Sequence, residues 1–169
     1  LNVKIVVTHA GLTTGDDGVS AQGIEDLSLM CALPGFTVIV PADGPETVKA
    51  VREAANTYGP FYIRLSRAAT PVIHQNGYSF SIGKAETRRE GADASIVACG
   101  IMVKAALDAA ESLTREGIQC RVLNMATLQP VDVESIVAAA QETGALVTAE
   151  EHLRHGGLGS IVAQVLGEL

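Results

Sequence analysis

Tryptophan is absent from this 169-residue chain, and aromatic residues make up only 4% of it. An interior without large rings must be filled by Val, Ile, Leu and Ala, the residues of helices packed on buried strands. Charge is also scarce, at 18%, and its balance is acidic, with a formal net charge of −7 and an isoelectric point near 5.0. A surface short of Lys and Arg cannot neutralise a phosphate backbone, so no nucleic-acid partner is expected. No apolar run approaches the roughly 20 residues that cross a bilayer, and no signal-peptide pattern is visible, so no membrane association is expected. Cys31, Cys99 and Cys120 are the only cysteines. Their odd number, and the lack of any metal-ligand spacing, predict free buried thiols in a reducing cytoplasm and no metal site. Internal repeats and low-complexity tracts are missing as well.

What is present is a rich apolar fraction, 47% of the residues, with a mean hydropathy of +0.27. Near-continuous apolar runs predict buried strands at 3–7, 37–40, 61–65, 95–99, 120–123 and 145–148. Helical spacing lies between them, at 23–33, 46–56 (apolar at Val48, Val51, Ala54 and Ala55), 103–115 and 133–141. The starts are marked chemically: Asp43-Gly44-Pro45-Glu46 has the shape of a capping box, and Asp132 precedes the 133–141 pattern. Gly117 and Gly144 are placed as left-handed caps. Strand–helix alternation predicts an α/β fold with right-handed crossovers and mainly parallel sheets.

Residues 68–92 break this rhythm. They contain Pro71, an Asn76-Gly77 turn signal suggesting a small hairpin, and the charged run 86–90, which reads as a solvated linker. A boundary here predicts two incomplete parallel or mixed-sheet units with flanking helices, at 1–68 and 93–169, joined by 69–92. Each is small enough to be marginal alone.

The chemistry-bearing residues cluster at strand ends. Thr8-His9-Ala10-Gly11 follows the first apolar run and leads into the Gly-rich, acidic loop Leu12-Thr13-Thr14-Gly15-Asp16-Asp17-Gly18. Polar loops leaving the carboxyl ends of buried strands are where open α/β proteins bind ligands. His9 can equally be a loop histidine bonded to backbone, and Asp16 and Asp17 can be turn formers. Together they suit a polyhydroxylated ligand, the carboxylate accepting from hydroxyls and the imidazole donating to a phosphate. Arg64 falls within the third strand and Arg67 beyond its carboxyl end, at the same sheet edge as His9. A guanidinium there serves phosphate binding or a structural ion pair. Glu150-Glu151-His152, followed by His155-Gly156-Gly157-Leu158-Gly159, reads as a tight turn with an interface role. It matches neither a P-loop nor a GxGxxG fingerprint.

The ordered set of motifs resembles the transketolases, thiamine-diphosphate enzymes, and most closely the C-terminal subunit of split, two-chain members. THAGLTTGDDG with VSAQGIEDL is similar to the family's histidine–glycine–acid loop and following helix. LPGFTVIVPADGPET, FYIRLSR, DASIVACG, LNMATLQPVD and AEEHLRHGGLGSIVAQVL are similar to successive later parts, so the resemblance covers essentially the whole chain. It implies the second half of a pyrimidine-binding-type domain, a linker, and most of a transketolase C-terminal domain. It also implies transfer of a two-carbon ketol unit between sugar phosphates, with His9, Asp17 and Arg67 binding substrate. By the same resemblance the family's catalytic glutamate would lie upstream of Leu1, leaving no catalytic residue here. Thiamine diphosphate and Mg²⁺ would be held mainly by a partner subunit, in a dimer or heterotetramer, and this piece alone would be inactive. Transketolases usually place a histidine four residues after the loop aspartate, where this chain has Ala21. Alternatives are 1-deoxyxylulose-5-phosphate synthase, the β subunit of a 2-oxo acid dehydrogenase, or a catalytically silent structural or regulatory subunit.

Overall fold

The computed structural model describes residues 1–75 and 77–168. The strands are β1 (Lys4–Val7), β2 (Thr37–Ile39), β3 (Phe61–Arg64), β4 (Glu86–Arg89), β5 (Ala94–Ala98), β6 (Cys120–Asn124), β7 (Thr127–Gln129) and β8 (Leu146–Ala149). The helices are α1 (Asp26–Cys31), α2 (Gly44–Asn56), α3 (Met102–Thr114), α4 (Val133–Thr143) and α5 (Leu158–Gly167), with short 3₁₀ turns over Leu12–Asp17. No helix among the described residues is long and apolar enough to cross a membrane.

Two four-stranded mixed sheets form, in the orders β1-β3-β2-β7 and β4-β6-β5-β8. Six strands fall where apolar runs predict them, because four to five β-favouring residues bounded by Gly, Pro or Asp have few alternatives. In each sheet three strands are parallel and an antiparallel edge is added, β7 on β2 and β4 on β6. Both antiparallel strands escape the apolar-run criterion, since β7 reads Thr-Leu-Gln and β4 reads Glu-Thr-Arg-Arg.

The charged run is therefore a strand, which corrects its reading as a solvated linker. Arg88 pairs with Glu86 at 2.8 Å and donates to Ile73 O, while Arg89 donates to Thr114 Oγ1. An edge strand tolerates such residues because their stems pack and their charged heads find partners. Within 68–85 the described residues carry no strand, so the expected hairpin is not seen there. Asn76, half of its turn signal, lies outside the described residues.

The largest apolar cluster joins the sheets. Val38, Val40 and Tyr62 from the first meet Val97, Cys99, Leu123 and Met125 from the second, closed by Ile136, Leu158 and Val162. Two small units thus share one interior, and β7 carries the second unit's chain into the first sheet. Helix α2 differs from its predicted stripe: Glu46, Ala50 and Ala54 face inward, while Val48 and Val51 are exposed. The alanine face lets the helix lie close on Ile39, Phe61 and Ile63. Strand β1 is also less covered than an apolar run implies, with Ile5 and Val6 exposed.

Candidate functional site

His9 and Arg67 converge because β1 and β3 are adjacent and parallel, with Val7 opposite Arg64. Both residues lie just past the carboxyl ends of these strands, and the Leu12–Asp17 turns fold back to place Asp17 between them. Arg67 Nε forms an ion pair with Asp17 Oδ2 at 2.8 Å, and His9 Nε2 is 3.6 Å from the same oxygen. Arg67 also donates to Thr14 O, and the other imidazole nitrogen, Nδ1, is 2.8 Å from Thr8 Oγ1. The three side chains are half-exposed, at 43% for His9, 37% for Asp17 and 49% for Arg67. Ion pairs this open contribute under about 1 kcal/mol. What the cluster offers is a donor, an acceptor and a planar cation facing one solvent-open space. Asp16 is exposed, with no ion pair among the described residues.

The backbone around the cluster is unusual. His9 has φ +68°, the only positive φ at a non-glycine position among the described residues. A side chain there costs about 1–2 kcal/mol, and such positions concentrate at functional sites. His9 O accepts from Gly23 N, and Gly11 N donates to Gly23 O, so the loop is stitched to the segment preceding α1. Ala21 is half-buried, and its N–H donates to Gly18 O. Its methyl group supplies neither proton nor hydrogen bond.

Arg64 takes the structural role. It is 3% exposed, pairs with Asp26 at 2.9 Å, and donates to Gly23 O and Glu151 O. Tyr62 donates to the same Asp26 oxygen, and burial first, then this carboxylate, push its phenol well above the usual range. Arg64 also lines a small cleft together with Ala10, Pro41, Ser66, Gly100 and Glu151.

The glycine-rich turn after β8 is filled by the chain itself. Glu150 accepts from Leu158 N and Gly159 N at 2.7 and 2.9 Å, so its carboxylate occupies the N-terminus of α5 where an anion would bind. The neighbouring residues dock on the first unit, with Ser28 N donating to His152 Nε2 and Leu153 N to Ile24 O. His155 is exposed. The three cysteines are free, and burial, followed by Glu150 and Asp26, pushes the Cys31 thiol up to about 11. Such thiols are poor nucleophiles. Among the described residues no three His, Cys, Asp or Glu side chains group so as to hold a metal ion.

A second polar cluster has no counterpart in the sequence reading. His74 is fully buried between Asp43 Oδ1 and Glu86 Oε2, each 2.9 Å from a ring nitrogen. Asp43 is the N-cap of α2, as its position before Glu46 predicts, and it also accepts from Ile73 N and His74 N. Burial alone would raise its carboxyl, but these hydrogen bonds outweigh it and hold the group below its ordinary value. Glu46 reaches past the cap to Ala42 N, and accepts from Tyr78 and Asn124. Burial outweighs these donors and raises Glu46. Nothing in the sequence links residues 43, 74 and 86, because their spacing follows no helical or strand period.

Comparison with known proteins places this architecture. The transketolase pyrimidine-binding domain matches residues 1–72 and the transketolase C-terminal domain matches residues 83–169. The chain belongs to the transketolase family. Among relatives of this transketolase-family chain, one of the subunits of the apulose-4-phosphate transketolase of Phocaeicola vulgatus is 40% identical over 168 residues, covering 99% of this chain and 54% of that protein. The 6-deoxy-6-sulfo-D-fructose transketolase subunit of Clostridium sp. strain MSTE9 is 44% identical, covering 99% and 52% respectively. A split-gene transketolase solved as an inactive β4 tetramer superposes with a TM-score of 0.93 at 50% identity, over 99% of this chain and 54% of that one. The chain thus spans about half the length of each of these three proteins.

Proposed function

We propose that this chain is the substrate-facing portion of a transketolase subunit that transfers a two-carbon ketol unit between anionic sugars. The observation that carries this reading is the convergence of His9, Asp17 and Arg67 on one open space at the carboxyl ends of adjacent parallel strands. Arg67 presents a fork suited to a terminal phosphate or sulfonate. His9 adds a second donor to that group, and Asp17 accepts from a sugar hydroxyl. Binding then exchanges the Arg67–Asp17 pair for contacts with the ligand, a modest loss because the pair is half-exposed. The names of two relatives, with a sugar phosphate in one and a sulfo-sugar in the other, support an anionic sugar as the class of ligand.

In the assembly we infer, a second chain contributes thiamine diphosphate and Mg²⁺, for which the described residues present no metal-ligand cluster. The cofactor, when bound, supplies the electron sink for carbon–carbon cleavage. This chain's part is to orient the sugar along the line from anion to hydroxyls, so that its carbonyl end faces that partner. Residues 1–68 belong in this reading to the pyrimidine-binding half and 93–169 to the C-terminal domain, with 69–92 between them. Alone, the chain is expected to be inactive.

The test is a ketol-transfer assay of the full chain with its thiamine-site partner, using ketose phosphates as donors. Arg67→Ala should raise KM for a phosphorylated donor by about a hundredfold, the worth of a bidentate charge-assisted contact, and change KM for the unphosphorylated sugar little. An equal effect on both donors removes the phosphate role, and no transfer with cofactor demonstrably bound removes the transketolase reading.

A further inference from the structure

The loop that carries Asp17 is held from the other sheet. Glu151 follows β8, in the second unit, and its carboxylate reaches across to the Leu12–Asp17 turns. Thr13 N donates to Oε1 at 3.0 Å and Thr13 Oγ1 donates to Oε2 at 2.8 Å. The approach is close enough that a Cβ at Gly11 would collide with the Glu151 side chain, and Gly11 also needs φ +76°, so this position favours glycine twice over. The backbone of Glu151 is fastened as well, because its carbonyl accepts from the buried Arg64 guanidinium at 2.8 Å. That guanidinium also binds Gly23 O, which in turn accepts from Gly11 N. Glu151 is therefore fixed to the same framework that fixes the start of the loop.

We propose that Glu151 is a positioning residue for the substrate loop, acting through Thr13 to set where Asp17 stands relative to Arg67 and His9. The loop has glycines of positive φ at 11, 15 and 18 and a break in its turns at Gly15, so its own backbone defines its shape weakly. Asp17 and Arg67 are half-exposed, and their mutual pairing is too weak to hold it. A bidentate, charge-assisted anchor four residues before Asp17 is the strongest side-chain tie on the loop. Because that anchor comes from the second unit, the geometry of the site depends on how the two units dock. This gives the second unit, which contributes none of His9, Asp17 or Arg67, a direct part in substrate recognition.

The inference rests on the proposed function for its kinetic consequence but not for its structural one, and the test separates the two. In the full chain assembled with its partner, Glu151→Ala should speed amide hydrogen exchange across residues 11–18 by about tenfold, the value of one to two lost hydrogen bonds. Thr13→Val should do the same to a lesser degree, and the double variant should be no worse than Glu151→Ala, since both act through one link. Glu151→Gln should stay within about threefold of the parent, because its amide can donate to the Thr13 hydroxyl while its oxygen still accepts from Thr13 N. Kinetically, Glu151→Ala should raise KM for an anionic donor about tenfold with kcat within about twofold. Unchanged exchange in Glu151→Ala overturns the proposal, as does a double variant that multiplies the single effects. A uniform fall in kcat at constant KM, tracking a lower Tm, would also overturn it by showing a merely structural residue. If the parent assembly shows no ketol transfer, the exchange data still decide the proposal while the function falls.

Discussion

Two histidine–carboxylate clusters lie in this molecule, built from the same residue types and put to opposite uses. At His74 the ring is fully buried, both nitrogens meet carboxylate oxygens at 2.9 Å, and Asp43 accepts four hydrogen bonds. At His9 the ring is 43% exposed, its distance to Asp17 is 3.6 Å, and its backbone is strained. Saturation leaves the buried ring and Asp43 nothing to offer a ligand, and breaking the cluster takes a partner from a buried carboxylate. The second is poorly satisfied by the protein itself, so its donors and acceptor stay available. Residue type does not distinguish a structural cluster from a binding one. The number of hydrogen bonds already made, and the solvent left to compete for them, do.

The contrast can be broken by mutation. His74→Ala should cost about 3–5 kcal/mol in urea-induced unfolding, since it empties a buried ring site and takes one donor from the buried Asp43, while Arg67→Ala should cost under about 1 kcal/mol. Comparable losses would mean that the open cluster is structural too. A pH series sharpens it. Asp43 and Asp132 have folded values below their ordinary 3.8. Their contribution is therefore present above about pH 4 and is lost as pH falls through the folded values. Glu46 is raised above 4.5, so its contribution has the opposite sign, and stability declines as pH rises from its unfolded value through its folded one. Unfolding curves from pH 3 to 8 should show the steep acid limb, and Glu46→Gln should flatten the decline above it. A flat profile down to pH 3 would count against the saturated Asp43.

The smallest expected effect is also the most telling. His9→Gly should stabilise the chain by about 0.5–1 kcal/mol, because glycine accepts φ +68° without strain. The same change should weaken donor binding in the assembled enzyme. A stabilised variant with unaltered donor KM would sever strain from function at this position.

Much of this was readable from local pattern. The caps at Asp43 and Asp132 formed as their spacing predicts, since a carboxylate three residues before a free N–H needs no distant partner. His9 and Arg67 could be placed at one sheet edge because parallel strands put their carboxyl ends together. Other features gave no local signal. Strand β4 is charged and exists because β6 offers it an edge, β7 is three residues long and exists because β2 does, and α2 turned its alanines inward because the sheet behind it leaves little room. His74 lies 31 residues from Asp43 and 12 from Glu86, separations that correspond to no motif.

Local pattern along the chain specified six of the eight described strands, the helical stretches between them and the motifs that carry the family resemblance, all from residues near one another. Tertiary structure alone decided that two small units share one core, that Glu151 reaches the loop bearing Asp17, and which histidine is sealed and which is open. These outcomes depend on burial and on partners distant in sequence, and in proteins it is the local dielectric and the count of satisfied hydrogen bonds that turn the same side chain into a strut or a binding group.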